Sequence, residues 1–174
     1  MLSFFTPDYY IQTFEQLNPD FLVKKGIRLL ICDIDNTLVA HDDANPNDDV
    51  RIFVQKLKEA GIDFILISNN TVERTRVFAK QLGVPGFGFA KKPFKWTYKK
   101  ILKEYDYKVD EIAVLGDQLL TDVCGGKRMK VFTILTDPLY QRDGTHTKFN
   151  RKIENRLFRS LEEKKYLLRG QYHE

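Results

Sequence analysis

Cysteine is scarce in this sequence, and long apolar runs are absent from it. The 174 residues include two cysteines, Cys32 and Cys124, which form no CxxC motif. This usage is typical of a protein in a reducing compartment, so we expect a cytoplasmic location. No apolar stretch reaches the ~20 residues that a membrane-spanning helix needs. The first residues also lack the basic n-region and the long apolar h-region of a secretion signal.

Charge is plentiful but uneven along the chain. The net charge is +4, while the segment from Lys148 to Arg169 carries +5, with eight Lys or Arg and three Glu. With 43% hydrophobic and 30% charged residues, the chain is neither disordered nor fibrous. Its length favours one domain over 1–174, with a core over about 26–140, an aromatic N-terminal segment over 1–25 and a basic helical tail over 146–174.

Short apolar runs alternate with helix-length amphipathic stretches, without an internal repeat or a low-complexity linker. The apolar runs predict strands over 28–32, 63–67, 86–90, 111–115 and 131–135. The amphipathic stretches predict helices over 48–59, 72–82, 95–105 and 118–128. Such alternation favours right-handed crossovers and a mostly parallel sheet that helices cover on both faces. We therefore predict an α/β protein with three layers.

Polar residues follow four of the predicted strands, at the points where these strands end. They are Asp33 with Asp35, Ser68 with Asn69 and Asn70, Lys91 with Lys92, and Asp117. In a parallel α/β sheet, sites form at the carboxyl ends of strands near the switch in strand order, so we expect these side chains to meet. Asp33 and Asp35 are two residues apart, like residues on one face of a strand. Two carboxylates so close need a metal ion, a proton or a phosphate-transfer reaction beside them.

The gathered residue types are those that phosphoryl transfer uses. Aspartate oxygens are ligands that Mg²⁺ prefers, and this ion often pairs with a substrate phosphate. A lysine neutralises phosphate charge, and a serine with backbone N–H groups at a helix start can hold phosphate oxygens. An aspartate can also be the nucleophile and form an aspartyl-phosphate. The three histidines, His41, His146 and His173, are scattered, which predicts surface residues rather than a zinc site.

Four motifs in order resemble those of the haloacid dehalogenase-like (HAD) phosphatases. DIDNTL, from Asp33 to Leu38, is similar to the first motif, DxDxT. Ser68 resembles the second motif, Lys92 the third, and GDQLLTD the acidic fourth. The resemblance covers about residues 28–136 and implies a Rossmann-like three-layer α/β sandwich. The closer similarity is to the type IIIA, YqeG-like branch, which is related to phosphatidylglycerophosphate phosphatases. It rests on the runs GIRLLICDIDNTLV, ISNN, KKPFKW and GDQLLTDVCGGKRM, and on the tail TKFNRKIENRL.

The resemblance implies that Asp33 attacks phosphorus as the nucleophile. Asp35 would first be the general acid that protonates the leaving oxygen, and then the base that activates water. Its presence indicates a phosphatase, since other branches of the family often lack it. The cofactor would be Mg²⁺, on the Asp33 carboxylate, the Asp35 backbone carbonyl and Asp117. Thr37 would help to fix the loop.

The same resemblance implies that Ser68, Asn69 and Lys92 hold the phosphoryl group, and that Asp122 supports the site. Lys91 competes with Lys92, which is favoured because a proline follows it, as in close relatives. Simpler interpretations stay open at this point. Ser68 and its neighbours can cap the helix that follows, Lys92 can be a surface lysine, and Asp122 can be an ordinary helix residue.

The gaps between the motifs leave no room for a folded cap domain. Only 32 residues separate Asp35 from Ser68, and 23 separate Ser68 from Lys92. An uncapped site is open to a phosphate on a protein, a nucleic acid or a lipid headgroup. From the resemblance, phosphatidylglycerophosphate is the first candidate substrate, in phospholipid synthesis. A soluble-metabolite or protein phosphatase is the alternative, and an RNA- or ribosome-associated binding factor is a less favoured one.

Both flanking segments bear on a membrane contact. The first 22 residues are rich in aromatic and aliphatic side chains, which either pack on the core or rest in a membrane interface. The basic tail is either a solvated helix face or a site for anionic lipid, at about 1 kcal/mol per cation near the surface. We therefore leave open a peripheral contact with an anionic membrane at its inner face, and expect no specific nucleic acid. The sequence does not indicate the oligomeric state.

Overall fold

A parallel sheet of six strands organises the protein. The computed structural model describes residues 2–139 and 147–173. In chain order the strands are β1 (Tyr9–Ile11), β2 (Leu29–Cys32), β3 (Asp63–Ile67), β4 (Gly86–Phe87), β5 (Ile112–Gly116) and β6 (Phe132–Thr136). The helices are α1 (Pro19–Lys24), α2 (Asp48–Glu59), α3 (Val72–Leu82), α4 (Trp96–Glu104), α5 (Cys124–Met129) and α6 (Thr147–Glu163). A π-helical turn, Leu119–Val123, precedes α5, and short 3₁₀ turns occupy Leu2–Phe5, Phe14–Gln16 and Val109–Glu111.

The strand order reverses between β2 and β5. All pairs are parallel, in the order β1-β6-β5-β2-β3-β4, so β2 lies between β3 and β5. The chain fills one side of β2 with β3 and β4 and then crosses to the other side with β5 and β6. Such a reversal opens a crevice at the carboxyl edge of the sheet. Asp33 and Asp117 directly follow the two strands that flank this crevice.

The central strands are apolar on both faces because helices cover both faces. Leu30 of β2 shares one core with Leu57 of α2, while Leu29 shares a second core with Ile101 of α4. This alternation follows from the two-residue period of a strand. The run LLIC is therefore continuous and fully buried, as expected for an interior strand of a parallel sheet. Together with the helix layers, this confirms the predicted three-layer α/β architecture.

Helix ends follow from local chemistry. The Asn47 side chain accepts a hydrogen bond of 2.9 Å from the Val50 N–H and so caps α2. Thr71 does the same for α3 by accepting from the Arg74 N–H at 3.3 Å. This helix ends at Gly83, whose φ of +64° is the left-handed conformation that glycine adopts at little cost.

Most element bounds agree with the sequence predictions to within one residue, and four elements differ. Helices α2 and α3 and strand β3 have the predicted bounds. Strand β1 and helix α1 were missed because three and six residues are too few to show a period. The strand predicted over 86–90 ends at Phe87, since Phe89 has a φ of +51° that an extended strand cannot accommodate. The helix predicted over 118–128 is divided into the π-helical turn and α5. Neither connection between the first three motifs contains a folded cap, as predicted.

Both flanking segments pack on the sheet. In the N-terminal segment, Tyr10, Phe14 and Leu22 are buried. In the tail, Phe158 and Leu161 are buried in a third apolar cluster that also includes Tyr10. Of the two interpretations left open for the N-terminal segment, core packing therefore describes these residues. Within the described ranges, no helix has the length and apolarity needed to cross a membrane.

The last described residues cover the outer edge of β1. The His173 N–H donates to the Tyr10 carbonyl at 2.8 Å, and the Tyr10 N–H donates to Nδ1 of His173 at 2.9 Å. The His173 ring also stacks on Tyr9, with 5.0 Å between the ring centroids. His173 therefore satisfies backbone groups that an edge strand would otherwise present to solvent.

Candidate active site

The carboxylate of Asp33 lies at the centre of the crevice, just beyond the end of β2. Its side chain is almost fully buried, and the Lys92 ammonium donates a hydrogen bond to its Oδ1. The Thr37 hydroxyl lies 3.3 Å from the Asp33 Oδ2 and 3.5 Å from Oδ1 of Asp117, so its single proton can serve only one of them at a time. Asp33 is thereby held on one side by a cation and on the other by a hydroxyl.

Lys92 reaches Asp33 from the loop that follows β4. The Asn69 side chain fixes the backbone of this lysine through two hydrogen bonds. Oδ1 of Asn69 accepts from the Lys92 N–H at 2.7 Å, and Nδ2 of Asn69 donates to the Lys92 carbonyl at 3.1 Å. Lys91 instead points outward, with its Nζ over the Phe89 ring at 5.5 Å from the centroid. The structure thus places Lys92, and not Lys91, at Asp33. Lys92 is buried, so the interpretation of it as a surface lysine is wrong.

Asp122 holds Lys92 from the opposite side. Its Oδ1 accepts from the Lys92 ammonium at 2.6 Å, and its Oδ2 accepts from the Gln118 N–H at 3.2 Å. The side chain is 1% exposed, so Asp122 is not an ordinary surface position of a helix. Gly116 makes this position possible, since a Cβ there would lie 2.3 Å from Cγ of Asp122. The glycine of the GDQLLTD motif is therefore required for close packing.

Three carboxylates converge where β2 and β5 end. Oxygens of Asp33, Asp117 and Asp122 all lie within 4.8 Å of one another. Burial, opposed by Lys92 and reinforced by Asp122, raises the pKa of Asp33 to about 7. Burial, together with Asp33 and Asp122, raises the pKa of Asp117 well above its ordinary value. Although burial opposes it, the two carboxylates on Lys92 raise the pKa of this lysine, which stays charged.

The charges of this cluster suit a divalent cation. With all three carboxylates ionised, the cluster and Lys92 would carry an excess of two negative charges in a buried space, and this cost is why the pKa values of Asp33 and Asp117 are raised. The donors are carboxylate oxygens, the ligands of hard ions such as Mg²⁺, and among the described residues no cysteine or histidine belongs to the cluster. The site therefore fits a divalent metal ion. The predicted ligands Asp33 and Asp117 are both in the cluster.

Asp35 is separated from this cluster and has partners of its own. The Arg74 guanidinium donates to its Oδ1 at 2.6 Å, and the Ser68 hydroxyl donates to its Oδ2 at 3.1 Å. The strand ends at Cys32, before the alternation that would pair Asp33 with Asp35. The two aspartates of the DxDxT motif are therefore in different electrostatic surroundings, one beside Lys92 and the other beside Arg74.

Arg74 and His41 were not predicted as site residues. Arg74 lies in the first turn of α3 and also donates to the His41 carbonyl at 2.9 Å. Nδ1 of His41 lies 3.6 Å from Oδ1 of Asp35. This histidine is therefore a surface residue at the border of the site. One sequence signal was available for Arg74, since the first turn of a helix after a parallel strand is next to the carboxyl edge of the sheet.

Ser68 and Asn69 are both at the crevice. The buried Ser68 hydroxyl accepts from the Asn70 N–H at 2.9 Å while it donates to Asp35. Ser68 does not cap α3, because Thr71 fills that position. The Asn69 side chain is occupied by the backbone of Lys92, so any contact of its side chain with phosphate would require breaking these bonds. Phosphate binding by Ser68, Asn69 and Lys92 stays a prediction.

The tail contributes one carboxylate near the site. Glu154 of α6 accepts hydrogen bonds from the Leu119 N–H and, at 3.1 Å, from the Leu120 N–H. These two N–H groups open the π-helical turn that carries Asp122. Leu119 follows Asp117 by two residues, so the tail helps to fix the loop between the two acidic residues of the fourth motif. The charge pattern of the tail predicts a helix and a basic surface, but gives no sign of this contact.

Comparison with known proteins agrees with this geometry. The haloacid dehalogenase-like hydrolase family matches residues 8–130, which is well over half of the chain. The chain therefore belongs to the haloacid dehalogenase-like hydrolases. A Bacillus subtilis (strain 168) protein named "Probable phosphatase YqeG" is 35% identical over 165 residues, covering 95% of this chain and 96% of that protein. The expectation of a phosphatase of this family is confirmed.

Two further similarities are more distant. A phosphatidylglycerophosphate phosphatase 1 (chloroplastic/mitochondrial) of Arabidopsis thaliana is 23% identical over 146 residues, which cover 79% of this chain and 42% of that protein. The chain thus spans less than half the length of this plant relative. A crystal structure of an uncharacterized Listeria monocytogenes serotype 4b protein has a TM-score of 0.53 at 16% identity and covers 63% of this chain and 78% of that one. That structure shares the fold.

Proposed function

We propose that the chain hydrolyses phosphate monoesters with Asp33 as the nucleophile and Mg²⁺ as the cofactor, and that phosphatidylglycerophosphate is its substrate. The observation that supports this chemistry is that the two aspartates of the DxDxT motif have different partners. Asp33 lies beside Lys92 and the acidic cluster, whereas Asp35 is held by Arg74 and Ser68. One carboxylate is thus placed to bond to phosphorus, and the other to exchange a proton.

In the first step, a carboxylate oxygen of Asp33 forms a bond to phosphorus as the bond from phosphorus to the ester oxygen breaks. Asp35 gives its proton to this leaving oxygen, and the alcohol departs. In the second step, Asp35 takes a proton from water, whose oxygen attacks phosphorus and releases Asp33 with inorganic phosphate. Lys92 neutralises charge on the phosphoryl oxygens. Hydrogen bonds to Asn69 and Asp122 hold this lysine in position for that role.

Asp33, Asp117 and the backbone carbonyl of Asp35 would hold the Mg²⁺. When bound, the ion would supply positive charge to the transferred phosphoryl group. It would also neutralise the negative charge of the buried carboxylates that Lys92 alone does not balance. Asp122 is left for Lys92, to which it is hydrogen-bonded. Thr37 orients whichever of its two carboxylate neighbours accepts its proton.

Two observations support the lipid substrate. The plant relative is named for phosphatidylglycerophosphate, and its similarity extends over 79% of this chain. In addition, no cap domain lies between the first three motifs, so a phosphate at the surface of a bilayer can reach the crevice. A soluble phosphoester of a metabolite or a protein is the alternative substrate, and it requires the same chemistry.

The test measures inorganic phosphate released from phosphatidylglycerophosphate in mixed micelles, with and without Mg²⁺. We expect Mg²⁺-dependent release that falls by about 1,000-fold or more in Asp33→Asn. Asp42→Asn is the matched control, because Asp42 is an exposed aspartate of the loop after β2. Cleavage of an aryl phosphate without release from the lipid would retain the chemistry and reject the substrate. Equal activity of Asp33→Asn and wild type would reject the mechanism.

A further inference from the structure

Three exposed aromatic side chains lie on the loop that carries Lys92 and at the start of α4, which follows it. Phe89, Phe94 and Trp96 are 63%, 54% and 77% exposed. They stand within eight residues of one another in the sequence, on both sides of Lys92, and Phe94 and Trp96 line one cavity. Single exposed apolar residues are ordinary, but three large exposed rings so close along the chain indicate a binding surface.

The sequence around these rings is rich in cations and has no acidic residue. From Val84 to Lys103 the sequence has six lysines and no Asp or Glu. Arg128 of α5 adds a guanidinium 6.0 Å from the Phe94 ring centroid, and with Lys95 and Lys99 it lines a shallow cavity of about 380 Å³ beside Trp96. None of Lys95, Lys99 and Arg128 forms an ion pair with any residue that the structure describes. We name Phe89, Phe94, Lys95, Trp96, Lys99 and Arg128 the aromatic–basic rim.

We infer that the aromatic–basic rim docks on the surface of an anionic lipid bilayer. The inference rests on the proposed function and adds how this site reaches its substrate. Aromatic rings favour the boundary between headgroups and acyl chains, while lysine and arginine beside them attract anionic headgroups. Because the same loop holds Lys92, docking through the rim would bring the open crevice to the level of lipid phosphates.

The alternative partner for rings and cations is single-stranded nucleic acid, which stacks its bases on aromatic faces. Two of the three rings are less suited to such stacking. Lys91 lies over the Phe89 ring and Arg128 over the Phe94 ring, so one face of each is already covered. A bilayer interface requires no free ring face, and it favours aromatic rings and long cationic side chains side by side. The observations therefore favour the bilayer.

The segments first considered for membrane contact bury much of their apolar surface. Tyr10, Phe14 and Leu22 of the N-terminal segment are buried, as are Phe158 and Leu161 of the tail. The aromatic rings that these segments do expose, Phe4 and Tyr166, are 39% and 51% exposed, which is less than any of the three rings of the rim.

Trp96 gives a direct test because it is the chain's single tryptophan. Its emission is recorded while vesicles of phosphatidylglycerol or of phosphatidylcholine are added. We expect a shift to shorter wavelength with the anionic vesicles, little shift with the zwitterionic ones, and quenching by lipids brominated on the acyl chain. Absence of binding would overturn the inference, and so would vesicle binding that leaves the emission unchanged. A response to oligouridine but not to vesicles would overturn it in favour of nucleic acid.

A charge-matched pair of variants tests the basic half of the rim. Lys95→Glu with Lys99→Glu should weaken partition into phosphatidylglycerol vesicles by at least about 25-fold, given about fivefold for each cation near a membrane surface. Lys56→Glu with Lys58→Glu changes the net charge equally on the exposed side of α2 and should weaken it by less than about threefold. Equal losses in the two variants would show that net charge alone drives binding and would overturn the inference.

Wild-type hydrolysis of a soluble aryl phosphate separates this inference from the proposed function. Hydrolysis with no vesicle binding rejects the docking surface and leaves the chemistry. Vesicle binding through Trp96 with no Mg²⁺-dependent hydrolysis rejects the chemistry and leaves the docking surface.

Discussion

The Arg74 guanidinium lies 2.6 Å from Oδ1 of Asp35, whereas the ammonium of Lys92 is hydrogen-bonded to Asp33. Both side chains are largely buried, at 19% and 16% exposure, so solvent screens this pair less than a surface ion pair. The contact selects one orientation of the proposed general acid. Each of the two aspartates of the DxDxT motif thus has a cationic partner of its own.

Arg74→Gln should lower kcat by about 100-fold with little change in KM, because Asp35 would lose the contact that orients it. Arg74→Lys should recover part of the loss, since an ammonium supplies the charge without the planar donor geometry. Steady-state kinetics on an aryl phosphate would measure both effects. Arg76→Gln is the matched control, as Arg76 pairs with the exposed Glu73 on the same helix. If the Arg74 and Arg76 variants behave alike, Arg74 has no positioning role.

Asp117→Asn should make the metal-free protein more stable at neutral pH, by about 1 kcal/mol, because it removes a carboxyl whose pKa is raised by burial beside two other carboxylates. The same variant should lose most of its response to Mg²⁺. In the wild type, Mg²⁺ at 100 times its Kd should stabilise the fold by about 2.7 kcal/mol. Thermal unfolding with EDTA or with MgCl₂ would measure both changes. A wild type that gains no stability from Mg²⁺ would contradict the assignment of the cluster as a metal site.

Glu154→Ala should destabilise the fold by about 2 kcal/mol, because the Leu119 and Leu120 N–H groups lose a charged acceptor. Activity should fall as well, since these groups fix the loop between Asp117 and Asp122. Urea unfolding gives the stability change, and phosphate release gives the activity. Glu163→Ala, at an exposed position on the same helix, should stay within about 0.5 kcal/mol of the wild type. A Glu154 variant as stable as this control would show that α6 does not support the loop.

The free energy of unfolding should fall above about pH 10, because two tyrosine hydroxyls that donate to Asp137 lose their protons there. Tyr172 donates to Oδ2 of Asp137 at 2.5 Å, and Tyr10 donates to the other oxygen. The hydrogen bond raises the pKa of Tyr172 to about 12, and burial raises the pKa of Tyr10. Because the folded protein holds these protons more tightly than the unfolded chain, the stabilisation is complete below pH 10 and is lost as the pH rises toward 12. Urea midpoints from pH 9 to 12 should fall less steeply for Tyr172→Phe than for the wild type, and parallel slopes would contradict this account.

Several parts of the fold could be predicted because burial on both faces leaves a continuous apolar run. This holds for LLIC in β2, DFILI in β3 and IAVL in β5. Strand β1 could not be predicted this way, since three residues carry no pattern and its partner, β6, lies about 125 residues further along. Its pairing is set by tertiary contacts alone.

The residues of the candidate site also fall into those that the sequence could predict and those that it could not. Asp33, Lys92 and Asp117 follow strand or loop positions that topology brings to one edge, so the motif pattern located them. Arg74 reaches the site from a helix turn, and Glu154 reaches it from the tail. The position of Arg74 in the first turn of α3 places it near the carboxyl edge of the sheet, but no local pattern distinguishes Glu154 from other charged residues on a helix surface, and only the packed structure shows the partners of both.

The contact between Tyr10 and His173 joins residues 163 positions apart. During synthesis, β1 leaves the ribosome early, but its pairing partner β6 and its outer cover follow only near the end of the described chain. The outer third of the sheet therefore cannot be completed before β6 and the tail have been synthesised. A nascent chain stalled before α6 would present both an uncovered strand edge and the apolar residues that Phe158 and Leu161 later cover. Chaperone demand should accordingly be greatest just before the tail is completed.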